Sequence, residues 1–293
     1  MPELPEVETI IRELKKKIIG RKIRNVWTDF KKMIKKPKNF PKFKKTIINR
    51  EIKDVRRRGK NILIDLSGNK ILLIHQKLTG HLLLGKWKLE KSKWICKVPG
   101  LLSEDPANKY LHLIFFLDNG EQLALSDLRK FAKVELWDKN DWEDSKEFKS
   151  LGPEPLERSF TFKKFKEVLG KKRRGKIKQI LMDQKIIVGI GNIYSDEILW
   201  EAKVNPFKDI SKLSELELKR IFKTTKKVLK KAIKLKGTST SDYRRISGTK
   251  GSFQLWKKVY QREGEECSRC GQKIQREKIS QRSAHFCPNC QKL

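Results

Sequence analysis

Four of the five cysteines have the spacing of a metal site. They form two Cys-x2-Cys pairs near the end of the chain, Cys267 with Cys270 and Cys287 with Cys290. Four thiolates at this spacing are typical of a tetrahedral zinc site, which leaves no open position for catalysis. Two disulfides are the alternative, which a reducing compartment disfavours. The pattern predicts one structural Zn²⁺, and nothing in the sequence points to an organic cofactor.

The chain begins with MPELPEVETI, which crowds two prolines and two glutamates into the first six residues. The structural interpretation is a helix start, because proline is favoured there and early carboxylates stabilise the positive end of the helix dipole. Whether these residues also do chemistry depends on the rest of the chain.

The net charge points to a polyanionic partner. Seventy Lys and Arg against 35 Asp and Glu give a formal charge of +35, and 37% hydrophobic residues in a chain of 293 can bury a core. Nucleic acid is the first candidate partner and a membrane surface the second. No segment approaches the roughly 20 uninterrupted apolar residues of a spanning helix, and no signal-peptide pattern is present. We therefore expect a cytoplasmic protein with no membrane partner.

Hydrophobic periodicity divides the chain into a β-rich part and a helical part. Apolar residues from Val7 to Ile18 recur at helical spacing, and the stretches NILIDL, KILLIHQ, YLHLIFFLDNGEQLALSD and KFAKVELW then predict strands. SLGPEPLERS breaks both patterns and marks a boundary. A long helix is expected after the Ser214-x-x-Glu217 capping box and before Gly237. The fold class is α+β, with the first helix packed on a sandwich or barrel-like pair of sheets.

The stretch DQKIIVGIGNIYSDE has two interpretations. Gly189-x-Gly191-Asn192 before a helix can present backbone N–H groups to a phosphate, or it can be a tight helix–turn–helix connection. The nearby basic residues Arg173, Arg174, Lys176 and Lys178 favour the phosphate-binding turn.

Six motifs in series resemble those of formamidopyrimidine-DNA glycosylases. They are PELPEVET, RRRGKNIL, SDLRKF, LGPEPL, LMDQKIIVGIGNIYSDE and CSRCG…RSAHFCPNCQ. The resemblance implies a catalytic β-sandwich domain with an N-terminal helix at 1–150 and a linker at 151–156. It also implies a helical helix-two-turn-helix domain with a lesion loop (237–252) at 157–252, and a zinc finger at 253–293.

The resemblance also implies an activity, namely a bifunctional DNA glycosylase and abasic-site lyase. Pro2, freed from Met1, would be the nucleophile, because its amine has a pKa of about 8 and is partly unprotonated at neutral pH. A Schiff base at Pro2 would lead to β,δ-elimination. Glu3 would be the acid that opens the sugar, Lys60 would act in elimination, and Arg282 would grip the phosphate beside the lesion and assist the second elimination.

DNA contacts are implied as well. A flipped nucleotide leaves a void in the duplex, and the residues matching the family's void-filling positions are Leu78, Arg129 and Phe131. The residues that match the family's phosphate contacts are His75, Lys178, Asn192 and Tyr260. Tyr110, and Arg173 and Arg174 of the basic run before the helix–turn–helix region, are also expected to contact DNA. The chain departs from the family pattern at four positions: Leu78 stands for Met, Thr79 for an acid found in some relatives, Tyr110 for His, and Gln281 for Gly.

The expected partner is double-stranded DNA with oxidised bases or abasic sites, bound by a monomer at the bacterial nucleoid. Oxidised purines such as 8-oxoguanine and formamidopyrimidines are the expected lesions, because Leu4 differs from the Pro-Glu-Gly-Pro start of the sister family for oxidised pyrimidines. The alternative is a basic zinc-ribbon protein that binds nucleic acid or recognises damage without chemistry.

Overall fold

A computed structural model describes residues 1–239 and 243–293, which group into two compact units. Unit 1 comprises residues 1–149 and 235–252, and unit 2 comprises residues 150–234 and 253–293. Residues 240–242 of the predicted loop lie outside the described residues. No helix within the described ranges is long and apolar enough to cross a membrane.

Unit 1 is mainly built of strands. In chain order its elements are α1 (Leu4–Ile18), β1 (Ile23–Thr28), β2 (Ile34–Lys36), α2 (Phe40–Ile47), β3 (Ile52–Arg58), β4 (Asn61–Leu66), β5 (Lys70–His75), β6 (Gly80–Gly85), β7 (Trp87–Glu90), β8 (Lys93–Cys96), α3 (Leu101–Glu104), β9 (Leu111–Leu117), β10 (Gln122–Asp127), β11 (Lys133–Asp138), α4 (Lys139–Asp144) and α5 (Lys146–Lys149). A short 3₁₀ helix, Pro106–Tyr110, precedes β9.

Two sheets form the sandwich of unit 1. One has the strand order β1-β9-β10-β6 and the other β2-β11-β5-β4-β3, while β7 and β8 form a separate hairpin. Alternate residues of both sheets share one buried cluster with the apolar face of α1, for example Ile62 and Ile64 of β4 with Leu123 and Leu125 of β10. Side chains of a strand alternate between its two faces, so this cluster is the interior between the sheets.

The outer face of each sheet is covered as well. Leu83 and Ile114 of the first sheet pack with Trp87, and Leu63 and Leu73 of the second sheet pack with Trp142. Because both faces are covered, the strands β4, β5, β6 and β9 are buried at most of their positions. NILIDL and the Asn-Gly hairpin of β9 and β10 accordingly lie where the sequence predicted them.

Unit 2 contains the helices α6 (Phe162–Gly170), α7 (Ile177–Met182), α8 (Asn192–Ala202) and α9 (Glu215–Lys234), followed by the strands β12 (Gln275–Ile279) and β13 (Arg282–Phe286). The predicted capping box starts α9, since the Ser214 amide donates to Glu217 Oε2 (2.9 Å) and the Glu217 amide to Ser214 Oγ (3.2 Å). Helix α8 is buried on most sides, including its polar residues Ser195, Asp196 and Glu197.

The segment 235–252 groups with unit 1, whereas the sequence placed it in the helical domain. The Thr238 amide donates to Glu6 Oε1 (2.7 Å), and Arg245 Nε donates to Glu13 Oε1 (2.5 Å). Tyr243 and Ile246 join the core of the sandwich. Contacts between residues so far apart in the chain leave no local pattern in the sequence. The predicted helical domain therefore included this segment. The domain limits themselves stay a prediction.

Candidate functional site

Pro2 and Glu3 lie at the start of α1. Both are buried, and Glu3 occupies the N-cap position directly before Leu4. The Glu3 amide donates to Glu6 Oε2 at 2.9 Å, which satisfies one of the backbone groups that a helix start leaves open. The helix start expected from the sequence is therefore present, and it holds the two predicted catalytic residues at the end of a rigid element.

Glu6 connects this helix start with the predicted lesion loop. Its two carboxylate oxygens accept from different backbone amides, Oε2 from Glu3 and Oε1 from Thr238. Gly237 has φ +80°, and a Cβ there would lie 2.8 Å from Glu6 Oε1, so the close approach requires glycine. The beginning of the loop is thus placed beside the N-terminus of α1 by a residue that sequence reasoning had assigned to the helix turn.

Lys60 lies in the turn between β3 and β4 and is buried. The same strand end is tied to α1, because Arg57 Nε donates to Glu8 Oε2 at 2.9 Å. Helix α1 packs on β3 and β4. The structure thus brings the Lys60 turn and α1 together within unit 1.

His75 ends β5 and is neutral at physiological pH. Burial, and then the charges of Lys77, Lys60 and Lys133, lowers the pKa of His75 to about 3. Its Nδ1 accepts from the Lys77 amide at 3.0 Å, so the ring proton is on Nε2. A neutral imidazole with an Nε2–H donor can bind a phosphate oxygen without carrying charge.

The predicted void-filling residues lie on two turns. Leu78 is half-buried in the turn between β5 and β6, and Arg129 and Phe131 follow β10. The Arg129 guanidinium lies 4.8 Å from the centre of the Phe131 ring, and Phe131 is 52% exposed. Phe131 is therefore not part of the buried core.

Tyr110 ends the short 3₁₀ helix and lines a cavity of about 100 Å³ with Thr79, His81 and Arg244. His112, two residues on, is buried in β9, with its Nδ1 2.8 Å from Asp29 Oδ1. His112 is therefore a buried strand residue.

The predicted phosphate-binding residues of unit 2 differ in exposure. Arg173 and Arg174 are exposed before α7, and Asn192 is the first residue of α8. Among the described residues Asn192 Oδ1 has no hydrogen-bond partner. Gly191 and Asn192 thus begin a helix as expected, and phosphate binding there stays a prediction.

Lys178 is placed unlike a surface phosphate ligand. It is 1% exposed, and its Nζ donates to Asp196 Oδ1 (2.6 Å) and to the carbonyl of Ser283 (2.5 Å). Asp196 Oδ2 accepts from the amide of His285 and lies 3.0 Å from its Nδ1. This buried ion pair connects α7 and α8 with β13, directly beyond Arg282.

Two buried carboxylates of α8 were missed by sequence reasoning. Asp196 is one, and Glu197 is the other, which accepts from the amides of Lys258, Val259 and Tyr260 at 2.7, 3.0 and 2.9 Å. Burial raises the pKa of Glu197, and the three N–H groups oppose that rise. The consecutive acids in YSDE were the available signal, because acids on a buried helix need partners.

Arg282 is exposed at the first position of β13, after the turn formed by Ser280 and Gln281. It lines a cavity of about 210 Å³ with Gln179, Asp183 and Ser280. The positive φ of this turn falls on Ser280 (54°). The glutamine at 281, where the family pattern has glycine, therefore does not have to adopt the left-handed conformation that favours glycine.

The four cysteines converge on one point. All four Sγ atoms lie within 4.8 Å of one another, with pairs at 3.4 and 4.0 Å. Tetrahedral Zn–S bonds place thiolates about 3.8 Å apart, whereas a disulfide needs about 2.05 Å. Trp200 Nε1 lies 3.5 Å from Cys267 Sγ as a donor. The donor set and its geometry fit one structural Zn²⁺.

Comparisons with known proteins agree with this geometry. Residues 1–134 match the formamidopyrimidine-DNA glycosylase N-terminal domain, and residues 151–244 match the H2TH domain of that glycosylase. Residues 264–293 match a zinc finger found in FPG and IleRS. The chain belongs to the formamidopyrimidine-DNA glycosylase family. The predicted family, fold class and zinc site are confirmed.

Similar formamidopyrimidine-DNA glycosylases align over their whole length. The enzyme of Carboxydothermus hydrogenoformans is 40% identical over 292 residues, and that of Pelotomaculum thermopropionicum is 38% identical over 293 residues. In both cases the alignment covers 100% of each chain.

Solved structures of the family share the fold. A variant of Lactococcus lactis FPG with DNA containing Fapy-dG has a TM-score of 0.87 and 35% identity, with 100% of each chain covered. Lactococcus lactis Fpg with DNA containing an abasic site has a TM-score of 0.86 and 35% identity, with 99% of this chain and 100% of that chain covered. These relatives were crystallised on damaged DNA.

Proposed function

We propose that the chain excises oxidised purines through a Schiff base at Pro2 and then cuts the strand by β,δ-elimination. Its family supplies the reaction class, because the chain is a bifunctional glycosylase and abasic-site lyase that acts on oxidised purines and abasic sites. The observation that carries the residue assignment is the N-terminus, where Pro2 and Glu3 are buried directly before a capped helix.

Pro2 acts as the nucleophile after Met1 is removed. Its nitrogen bonds to C1′ of the damaged nucleoside while the bond from C1′ to the base breaks, and the base leaves with that electron pair. Glu3 protonates the ring oxygen of the sugar, the ring opens, and the nitrogen loses its proton to form an iminium ion. The iminium withdraws electrons, which makes the neighbouring C2′–H acidic.

Elimination then releases the two flanking phosphates in turn. Loss of the C2′ proton expels the 3′ phosphate, and a second elimination expels the 5′ phosphate. Lys60 is assigned to these proton transfers, because it is buried in the turn beside α1. Arg282 is assigned to the phosphate, because its guanidinium is permanently charged, exposed and carried on a short hairpin.

The DNA partner is a duplex with an oxidised base or an abasic site. The net charge of +35 supports this assignment, and relatives were crystallised with DNA containing Fapy-dG, an abasic site or an oxidised pyrimidine. The residues proposed to contact the DNA backbone are His75, Tyr110, Arg173, Arg174, Asn192 and Tyr260. Lys178 is proposed to act from behind this surface, by holding the hairpin that carries Arg282.

Leu78, Arg129 and Phe131 are proposed to fill the space of the flipped nucleotide. Leu78 replaces the methionine of the family pattern with an apolar side chain of similar size, and the exposure of Phe131 supports its role as a wedge. The protein is proposed to work as a monomer. It is proposed to act in the bacterial cytoplasm, because its proposed partner, nucleoid DNA, is located there.

Borohydride trapping tests the assignment. A duplex with one 8-oxoguanine opposite cytosine is incubated with the native protein and with Pro2→Gly, after mass spectrometry has confirmed Met1 removal in both. We expect a reduced protein–DNA adduct from the native protein and a strongly weakened adduct from Pro2→Gly. Equal trapping by both would show that the secondary amine of Pro2 is not required for the adduct.

Two further arms of this test define the substrate. Glu3→Gln should bind the duplex but excise little base. This result would distinguish a role of Glu3 as an acid from a role in DNA binding. A duplex with an oxidised pyrimidine is compared at the same salt concentration. Faster excision of the pyrimidine than of 8-oxoguanine would contradict the assignment to oxidised purines.

A further inference from the structure

The turns that carry the proposed void-filling residues both cross between the two sheets at one end of the sandwich. The first joins β5 to β6, and the second joins β10 to β11. Strand pairing brings them side by side, because Gly80 pairs with Asp127 and His75 with Lys133. Leu78 is on the first turn, and Arg129 and Phe131 are on the second.

One hydroxyl connects the two turns. Thr79 Oγ1 donates to Asp127 Oδ1 at 2.5 Å and accepts from the Arg129 amide at 3.2 Å. Thr79, on the turn of Leu78, thus donates one hydrogen bond to the turn of Arg129 and accepts another from it. An O–H group bonded to a carboxylate at this distance makes a strong, charge-assisted hydrogen bond.

Asp127 organises the second turn around the same bond. Its side chain is fully buried, and its Oδ1 and Oδ2 accept from the amides of Arg129 (3.3 Å) and Ala132 (2.7 Å). Its carbonyl accepts from the Lys130 amide at 3.1 Å. A buried carboxylate needs donors on all sides, and Thr79 is the donor that comes from the other turn.

We propose that Thr79 is a positioning residue, whose hydroxyl locks the Leu78 turn to the Arg129–Phe131 turn so that the three side chains enter the duplex as one rigid wedge. The proposal deepens the proposed function and rests on it, because it takes these three residues as the void-filling set. Flipping a nucleotide requires unstacking, and a wedge that is already in place lowers the ordering cost of filling the void.

The position of Thr79 also bears on its departure from the family pattern. Some relatives have an acid there, and an acid at 79 in this chain would face the buried carboxylate of Asp127. Two carboxylates so close repel each other. In this chain residue 79 therefore stabilises the second turn, and a hydroxyl donor is needed there because it faces the carboxylate of Asp127.

Thr79→Val and Thr79→Ser separate the hydroxyl from the shape of the side chain. Valine has nearly the same shape without the hydroxyl, and serine keeps the hydroxyl. Excision of 8-oxoguanine from a duplex is measured in single turnover, with 2-aminopurine beside the lesion to report unstacking. Strand cleavage at an abasic site in a single-stranded oligonucleotide is measured in parallel, because that substrate has no base stack to open.

The expected result is a selective loss. Thr79→Val should slow both the 2-aminopurine signal and duplex excision by about tenfold, the size of a lost charge-assisted hydrogen bond. Cleavage of the single strand should stay at the native rate, and Thr79→Ser should restore duplex excision. A purely structural role would not separate the two substrates.

Ser126→Ala is the matched control. Ser126 Oγ is a buried hydroxyl of β10, next to Asp127, and it donates to the carbonyl of Ala107 at 2.6 Å without joining the two turns. It should leave the ratio of duplex to single-strand rates unchanged.

Two results would overturn the coupling. They are an unchanged duplex rate in Thr79→Val, and an equal loss on both substrates. Failure of the proposed function has a different signature, since the native protein itself would then give no trapped adduct.

Discussion

Pro2 in unit 1 and Arg282 in unit 2 rest on different kinds of support. Pro2 precedes a helix of 15 residues whose apolar face is buried in the core of a sandwich. Arg282 begins one strand of a two-stranded hairpin, and the other strand, β12, exposes four of its five residues. Hydrophobic burial thus positions the proposed nucleophile, whereas β12 contributes little of it to the hairpin.

The difference shows what a small module needs in place of a core. A segment of this size buries too little apolar surface to fold alone. Zinc and a few buried polar contacts therefore stabilise its fold. The contacts that hold the hairpin come from outside it. They are the four cysteines that flank its strands and the buried ion pair of Lys178 with Asp196, which bonds to the backbone of β13. Their loss should affect unit 2 far more than unit 1.

Zinc removal should have the largest effect. Structural zinc contributes about 10–16 kcal/mol in zinc-finger peptides, more than any single contact of the hairpin. We expect chelation, or Cys270→Ser, to abolish cleavage of an 8-oxoguanine duplex and to expose the amides of β12 and β13 to hydrogen exchange. The amides of β4 and β5 should stay protected.

Zinc repletion controls this experiment, because it should restore the chelated native protein and leave Cys270→Ser inactive. Full exchange protection of β13 in protein shown to be free of zinc would break the comparison between the two units.

Asp196→Asn should have the next largest effect. It removes the charge that faces the buried Lys178 ammonium, and breaking a buried ion pair in this way costs about 3–5 kcal/mol. We expect hydrogen exchange in β13 to accelerate and the cleavage products to shift from δ-elimination towards β-elimination, since Arg282 is less well placed. Glu167→Gln, in an exposed pair with Lys164, is the control and should change stability by less than about 0.5 kcal/mol. Equal effects of the two substitutions would contradict this prediction.

Glu6→Gln tests how the helix start that carries Pro2, the proposed nucleophile, is held in place. A glutamine has a single acceptor oxygen for the two amides that Glu6 binds, those of Glu3 and Thr238. One amide would then face an NH₂ group, at a cost of about 1–3 kcal/mol. We expect slower formation of the borohydride-trapped adduct with little change in duplex affinity. Glu13, also in α1, forms an ion pair with Arg245 and provides the control. Glu13→Gln breaks this pair and should form the trapped adduct at close to the native rate.

The pH dependence through His75 should be the smallest effect. Its pKa is about 3 in the folded protein, below the reference of 6.5. The unfolded chain therefore binds the proton first, and stability that is present above pH 6.5 is lost as the pH falls towards 3. The loss is at most about 1.4 kcal/mol per pH unit. Urea unfolding of native protein and His75→Gln at pH 7.5 and pH 5 measures it, and an equal loss in both proteins would contradict the role of His75.

Features that depend on neighbouring residues could be predicted. The capping box at Ser214, the Asn-Gly hairpin and the cysteine spacing are short-range patterns, and all three are present in the structure. The motifs that carry the family resemblance are also local, which is why the chain's activity could be expected. The exact roles of the predicted site residues stay predictions for the experiments above.

Features that join distant parts of the chain could not be predicted. Lys178 resembled one more basic residue near a phosphate, yet it is buried against a carbonyl 105 residues away. Glu6 resembled a helix-start carboxylate, yet it binds an amide 232 residues away.

The sequence by itself determined helices α1 and α9, strands β4, β5 and β9 to β11, the metal site and the family. These patterns lie in residues that are close together in the chain. Only the tertiary structure decided how the functional turns are held, as at Thr79 and Asp127, which are 48 residues apart. Buried polar groups must find partners wherever the fold brings them, and this pairing appears only when the chain is packed.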